Sequence, residues 1–284
     1  MKTFAKRLFP ALVIVMLGLW AAPALAAEGQ PVDWEIGFQP AASSSAERIH
    51  DFHNMLLWII TGIVIFVFIL LAIVILRFNS KANPKPAQFS HNVLIEVVWT
   101  IVPILILIVI VVPSFKLLYT NDRIENPDMT LKVTGYQWYW GYEYPDNDGL
   151  NFLSYMVPEK DIDPAKGQVR LLSTDNVVVL PVDTNIQILV TAADVIHAFA
   201  VPALGVKIDA VPGRLNETWV NISKPGRYFG QCSELCGKDH SYMPIEIHAV
   251  SKEEFQQWLI TAKEKFAALD TGNTEIKFAF AEER

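Results

Sequence analysis

Charge is scarce in this sequence, and so is cysteine: of 284 residues only 19% are charged and only two are Cys. A chain that is 52% apolar is too hydrophobic to stay disordered. No Lys/Arg-rich block and no recognition motif occur, and the formal net charge is −7, which excludes nucleic acid as a partner class. There is no Cys-X-X-Cys-His stretch, so no c-type haem is attached to the chain. Internal repeats and low-complexity tracts are missing as well. An array architecture is thereby excluded.

What the chain does have is long uncharged runs. Residues 55–76 and 97–115, 22 and 19 residues, contain no Asp, Glu, Lys or Arg. At about 1.5 Å per helical residue, each can cross a hydrocarbon core of about 30 Å. A shorter run, 8–22, follows Lys2, Lys6 and Arg7 and precedes Ala24-Leu25-Ala26. Those charged, apolar and small-residue regions predict an export signal over 1–26, removed near Ala27. No Cys stands at that position, so a lipid anchor is not expected.

Loop charge predicts orientation. The stretch 77–92 carries Arg77, Lys81 and Lys85 and no acid, whereas 27–54 carries five acids and one base. The Lys/Arg bias places the short loop, 78–92, in the cytoplasm. Segment 27–54 and everything after the second span (93–118) then lie outside. From residue 121 onward there are 24 acids and 15 bases, a net −9 facing any external partner. Residues 40–46 and 79–88 read as unpacked linkers, rich in small, polar and Pro residues.

Past Asp128 the pattern changes to short β-type runs, 130–134, 176–180, 185–191, 217–222 and 244–249, bounded by Pro, Gly, Asn or Asp. Their size and spacing predict an all-β sandwich or barrel over 121–268. A capping box at Ser251 and Glu254, with Phe255, Trp258, Leu259, Ala262 and Phe266 recurring on one face, predicts a closing helix. The tail, 269–284, suggests no role. In 136–144, Tyr136, Trp138, Trp140, Tyr142 and Tyr144 all take even positions, which in one strand would put them on one face as a core layer.

The chemistry concentrates in residues 230–244. Cys232, Cys236, His240 and Met243 fall within twelve residues, with Gly230 ahead of Cys232 and Gly237 directly after Cys236. His197 offers a second imidazole at the end of an apolar run. A disulfide is the default for a lone Cys pair in an exported domain. A Cys2His2 zinc site would leave Met243 without a role. Thiolate, thioether and imidazole together favour copper. A mononuclear blue-copper site would leave one thiolate spare, which two bridging sulfurs would employ.

The loop 232–244, the segment 194–202 (DVIHAFAVP), the stretch 209–216 (DAVPGRLN) and the aromatic run 137–140 (QWYW) resemble subunit II of haem-copper cytochrome c oxidase. The resemblance covers nearly the whole chain after 1–26. It implies a helical hairpin of two transmembrane spans (55–77 and 93–118) followed by a periplasmic cupredoxin domain. It also implies a dinuclear copper-A centre, with Cys232 and Cys236 bridging, His197 and His240 terminal, Met243 weakly bound and the Glu234 carbonyl as the remaining ligand. The Glu234 side chain is implied to help hold Mg2+ shared with subunit I. Trp138 matches the residue that receives electrons from cytochrome c, and Tyr139 a residue near the metal. Glu143 and Asp194 match docking positions, and Glu96 the entrance of a proton pathway. The implied setting is the inner membrane, in contact with lipid, with subunit I and subunit III as neighbours. Two rival functions are a nitrous-oxide reductase domain, which would not need two spans, and a membrane-tethered copper carrier that catalyses nothing. Quinol oxidases of the same fold lack the copper ligands present here.

Overall fold

The computed structural model describes residues 29–85, 87–122, 124 and 126–270. The expected export signal and the tail beyond 270 lie outside these residues.

Two long helices come first, α1 (Ser44–Arg77) and α2 (Val93–Asp122). Their apolar side chains point outward and are exposed, the reverse of a water-soluble helix and the pattern of a helix solvated by lipid. Helix α1 starts well before its apolar run. The reason is local: Ser43 is an N-cap whose Oγ accepts from Ala46 N at 3.0 Å, with Glu47 in the first turn facing the positive end of the helix. Residues 40–46, read above as an unpacked linker, are therefore largely built into the fold, with Ala42, Ser43, Ser45 and Ala46 buried. Small residues read as a loop when their tertiary neighbours are unseen, and those same residues permit close packing.

Ten strands follow: β1 (Met129–Tyr136), β2 (Tyr139–Tyr144), β3 (Leu150–Ser154), β4 (Val178–Pro181), β5 (Ile186–Ala192), β6 (His197–Val201), β7 (Val206–Ala210), β8 (Asn216–Val220), β9 (Gly226–Cys232) and β10 (Pro244–Val250). They form two five-stranded sheets, ordered β3-β2-β1-β5-β8 and β4-β10-β9-β6-β7. Alternation decides which face is inside: Ile186, Ile188, Val190 and Ala192 of β5 are buried, while the residues between them are only half-buried. Helix α3 (Lys252–Asp270) closes the sandwich edge. Its capping box forms as expected, with Ser251 N donating to Glu254 Oε2 at 3.0 Å and Glu254 N to Ser251 Oγ at 3.1 Å. Phe255, Leu259, Ala262 and Phe266 are buried, and Phe266 stacks on Phe152 with centroids 4.6 Å apart.

The aromatic run is a hairpin, not one strand. Tyr136 ends β1 and pairs with Tyr139, the first residue of β2. The chain reverses at Gln137 and Trp138, so strand alternation does not extend through the run. Trp140, Tyr142 and Tyr144 face the core as expected, while Tyr136, Tyr139 and Tyr155 make a stack near the surface, with centroids 4.8 and 4.6 Å apart.

Candidate metal centre

Adjacent strands of one sheet deliver the donors. Cys232 is the last residue of β9 and His197 the first of β6, and Phe199 is paired with Cys232. Met243 immediately precedes β10, whose Pro244 pairs with Gln231. Between them the loop turns at Gly237, where φ is +125°, a value that favours glycine. A Cβ on Gly237 would also press on Gln137 and Trp138, both at 3.1 Å.

The donor atoms converge. The Cys232 and Cys236 sulfurs are 3.8 Å apart and unbonded, both thiols being free. His197 Nδ1 lies 3.8 Å from Cys232 Sγ, and His240 Nδ1 lies 3.5 Å from Cys236 Sγ. Met243 Sδ is 3.6 Å from Cys236 Sγ, and the Glu234 carbonyl accepts from Cys232 Sγ at 3.3 Å. Cys232, Cys236, Met243 and His197 are buried, whereas His240 is half-exposed and the Glu234 residue is exposed. Each thiol therefore has its own imidazole, and each has a weaker donor beside it. That set suits a soft or borderline ion such as copper.

Outer contacts fix the inner ones. His197 Nε2 lies 2.9 Å from Asp194 Oδ1, so its Nε2–H is assigned as donor to the carboxylate and Nδ1 is left free to bind. The second oxygen of Asp194 accepts from Gln137 N at 2.7 Å, which ties the imidazole to the β1–β2 turn. From that turn, Gln137 Nε2 and Trp138 Nε1 both donate to the Cys236 carbonyl, at 2.8 and 3.3 Å. Trp140 Nε1 donates to the Met243 carbonyl at 3.1 Å. A Cβ on Gly135 would lie 2.8 Å from His197 Cδ2, so this glycine makes room for the ring.

Electrostatics separate the two thiols. Burial pushes the Cys232 thiol up, but contact with the His197 ring and with the main chain at Glu234 and Ala198 outweighs it and brings the thiol below its ordinary value. Burial, and then the charge of Cys232, push the Cys236 thiol up. Cys232 thus ionises more readily than Cys236. Burial lowers the His197 value, while Cys232 and Asp194 raise it by more.

Of the residues singled out in the sequence, the structure gathers Cys232, Cys236, His197, His240, Met243, the Glu234 carbonyl, Asp194 and Trp138 in one place. Tyr139 stacks on Tyr136 and Tyr155. Glu143 pairs with Lys132 at 2.7 Å on the neighbouring strand. Glu96 lies in the first turn of α2, at the far end of that helix from the head. Sequence reasoning missed Gly135 and gave Gln137 no role of its own. The one available signal was an isolated glycine inside a strand pattern at 135, which marks close approach.

A cupredoxin-like sandwich carried on a lipid-facing helical hairpin, with two thiols, two imidazoles and a thioether meeting at one end, defines a membrane-bound protein with a candidate copper site. Residues 31–117 match the model of the transmembrane domain of cytochrome c oxidase subunit II, and residues 129–250 that of its periplasmic domain. The chain is 51% identical over 256 residues to a probable cytochrome c oxidase subunit 2 of Rickettsia bellii, spanning 90% of this chain and 94% of the relative. It is 49% identical over 231 residues to cytochrome c oxidase subunit 2 of Cyanidium caldarium, spanning 80% and 90%. The crystal structure of the periplasmic domain of subunit II of cytochrome oxidase of Bradyrhizobium japonicum is 56% identical and covers 51% of this chain and 99% of its own, with a TM-score of 0.47. This chain belongs to the cytochrome c oxidase subunit II family. It is therefore a subunit of a haem-copper oxidase, an oxidoreductase.

Proposed function

We propose that this chain is the electron-accepting subunit of its oxidase, built around a dinuclear copper-A centre held by Cys232, Cys236, His197, His240, Met243 and the Glu234 carbonyl. The observation that carries the reading is the pairing of each thiol with a separate imidazole Nδ1, at 3.8 and 3.5 Å. When bound, the copper pair supplies one-electron redox chemistry between cytochrome c and haem in subunit I, where oxygen is reduced to water with proton translocation.

The chain's own residues do the rest. One sheet anchors the donors, with His197 and Cys232 at strand ends and the others in the loop between β9 and β10, so little rearrangement accompanies a change of charge. Asp194 keeps His197 Nδ1 directed at the site. Both thiols must lose their protons to hold copper, so copper affinity falls as pH falls. Trp138 places its indole against the Cys236 carbonyl and is proposed as the residue facing cytochrome c. Glu143 and Asp194, whose side chains keep 38% and 33% of their surface, are proposed to steer a basic cytochrome. Tyr139 is proposed to lie near the copper pair. The Glu234 carboxylate, exposed at the loop tip, is proposed to hold Mg2+ against subunit I, with subunit III also in the assembly. Glu96, beside the cytoplasmic loop, is proposed as a proton-pathway entrance, because an ionisable group at a span end is a functional candidate. The inner membrane is proposed as its setting, and the Lys/Arg bias of that loop supports an orientation with the head, and the segment preceding α1, in the periplasm.

Electron paramagnetic resonance of the assembled oxidase tests the reading. Hyperfine splitting from an unpaired electron shared by two copper nuclei supports it, and a mononuclear spectrum or none supports a copper carrier instead. Trp138→Ala is expected to slow cytochrome c oxidation by at least about tenfold with the copper spectrum intact, as measured by stopped flow. An unchanged rate would return Trp138 to a packing role.

A further inference from the structure

The junction between head and membrane hairpin is closely built, and the reading above makes no use of it. Strand β6 runs from the metal-side His197 to Val201 and continues into a 3-10 turn, Pro202–Leu204. That turn grips the start of α1. Ala42 N donates to the Ala203 carbonyl at 2.9 Å, and Ser43 Oγ donates to the Leu204 carbonyl at 2.7 Å. On the other side Ser223 N donates to the Ala42 carbonyl at 2.9 Å. Ser43 is 0% exposed and Ala46 1% exposed. Gly205, at φ +64°, lies so close to α1 that a Cβ would sit 2.8 Å from both the N and the Cα of Ala46. Those are backbone atoms, which cannot swing aside.

The second helix is tied from β8. Trp219 Nε1 donates to the Thr120 carbonyl near the end of α2 at 3.0 Å, and the Arg48 guanidinium of α1 lies 5.9 Å above the Trp219 ring. One indole thus joins both membrane helices to the sheet that carries β5 and β1. Both sheets of the head are fastened, one to α1 through the ligand-bearing strand and the other to α1 and α2 through Trp219.

We propose that Ser43, Gly205 and Trp219 are positioning residues that fix the height and tilt of the metal loop above the membrane hairpin, so that electron delivery to the partner subunit depends on them while electron acceptance does not. The inference rests on the electron-accepting role proposed above. Its physical basis is that transfer between two fixed centres is sensitive to small displacements, whereas an external cytochrome adjusts its approach to the head wherever the head sits.

The test compares Gly205→Ala and Trp219→Phe in the assembled oxidase with the parent. Gly205→Ala should raise hydrogen exchange at the Ala42 and Ala46 amides, since the new Cβ meets backbone. Trp219→Phe deletes one N–H and keeps a ring beneath Arg48. In both, the copper resonance and the rate of cytochrome c oxidation in a single turnover should match the parent, while flash-initiated haem reduction slows by at least about fivefold. Haem reduction at the parental rate in both variants overturns the proposal. So does slowing in step with copper loss and slower acceptance, which marks ordinary misfolding. Should Gly205→Ala fail to assemble, Trp219→Phe decides by the same two rates. A parent oxidase without the paired copper signal refutes the electron-accepting role itself, a result visible before any variant is compared.

Discussion

Cys236→Ser is expected to remove the paired copper and reduce cytochrome c oxidation by more than about 10²-fold, with the head still folded. Disturbing an outer-shell partner of a metal typically costs about 10- to 100-fold, and Cys236 is proposed as a bridging ligand. Its sulfur touches three of the other donors, Cys232 Sγ at 3.8 Å, Met243 Sδ at 3.6 Å and His240 Nδ1 at 3.5 Å. A serine hydroxyl is smaller and remains protonated at neutral pH, so it replaces neither the charge nor the softness of a thiolate. The fold should tolerate the change. The thiol sits at the end of the sandwich, and a hydroxyl there can bond the His240 ring, which limits the cost to about 1 kcal/mol. Copper per chain by elemental analysis, with thermal unfolding as the control, checks both halves. Parental copper content in Cys236→Ser would exclude the shared-sulfur arrangement.

Trp140→Ala is expected to be the most destabilising single change near the centre, by about 3–5 kcal/mol. The ring is 0% exposed and packs edge-on against Phe199 and His197, with centroids 5.5 and 5.9 Å apart. Its Nε1–H is also the donor to the Met243 carbonyl. Truncation therefore opens a cavity behind one proposed ligand and removes one of two donors to the carbonyl of another, leaving the Met243 oxygen only the Cys232 amide at 3.3 Å. Against a typical domain stability of about 5–15 kcal/mol, a loss of that size lowers the midpoint of thermal unfolding by about 10–20 °C. Trp140→Phe separates the two contributions. It keeps most of the buried area and loses the donor, so a cost nearer 1–2 kcal/mol is expected. Equal melting of Trp140→Ala and the parent would mean that the ring is not part of the core.

Much of this was legible in the chain before any folding. A run of 22 uncharged residues can be solvated only by lipid or by a large core, and helix is the one local structure that satisfies its backbone there. The closing helix was readable for the same local reason, since Ser251 and Glu254 satisfy each other's amides within one turn. Four of the donors lie within twelve residues, so their grouping needed no tertiary knowledge. The aromatic run was misread at its centre because strand alternation assumes a continuing strand, and no Gly, Pro, Asn or Asp at 137–138 announces the reversal. The segment 40–46 was misread because its burial depends on Leu204 and Ser223, more than 150 residues away in sequence.

Local sequence by itself determined the membrane hairpin, the β character of the head and the inventory of sulfur and imidazole donors, because hydropathy, alternation and ligand type are properties of neighbouring residues. Only the tertiary structure decided which imidazole meets which thiol, that Asp194 directs one of them, and that the Trp138 indole rests on the Cys236 carbonyl. It also decided that Glu246, one acid among many in the sequence, is buried between Arg227 and His248. Those relations are set by strand pairing across long separations, which fixes distances that the order of residues along the chain leaves free.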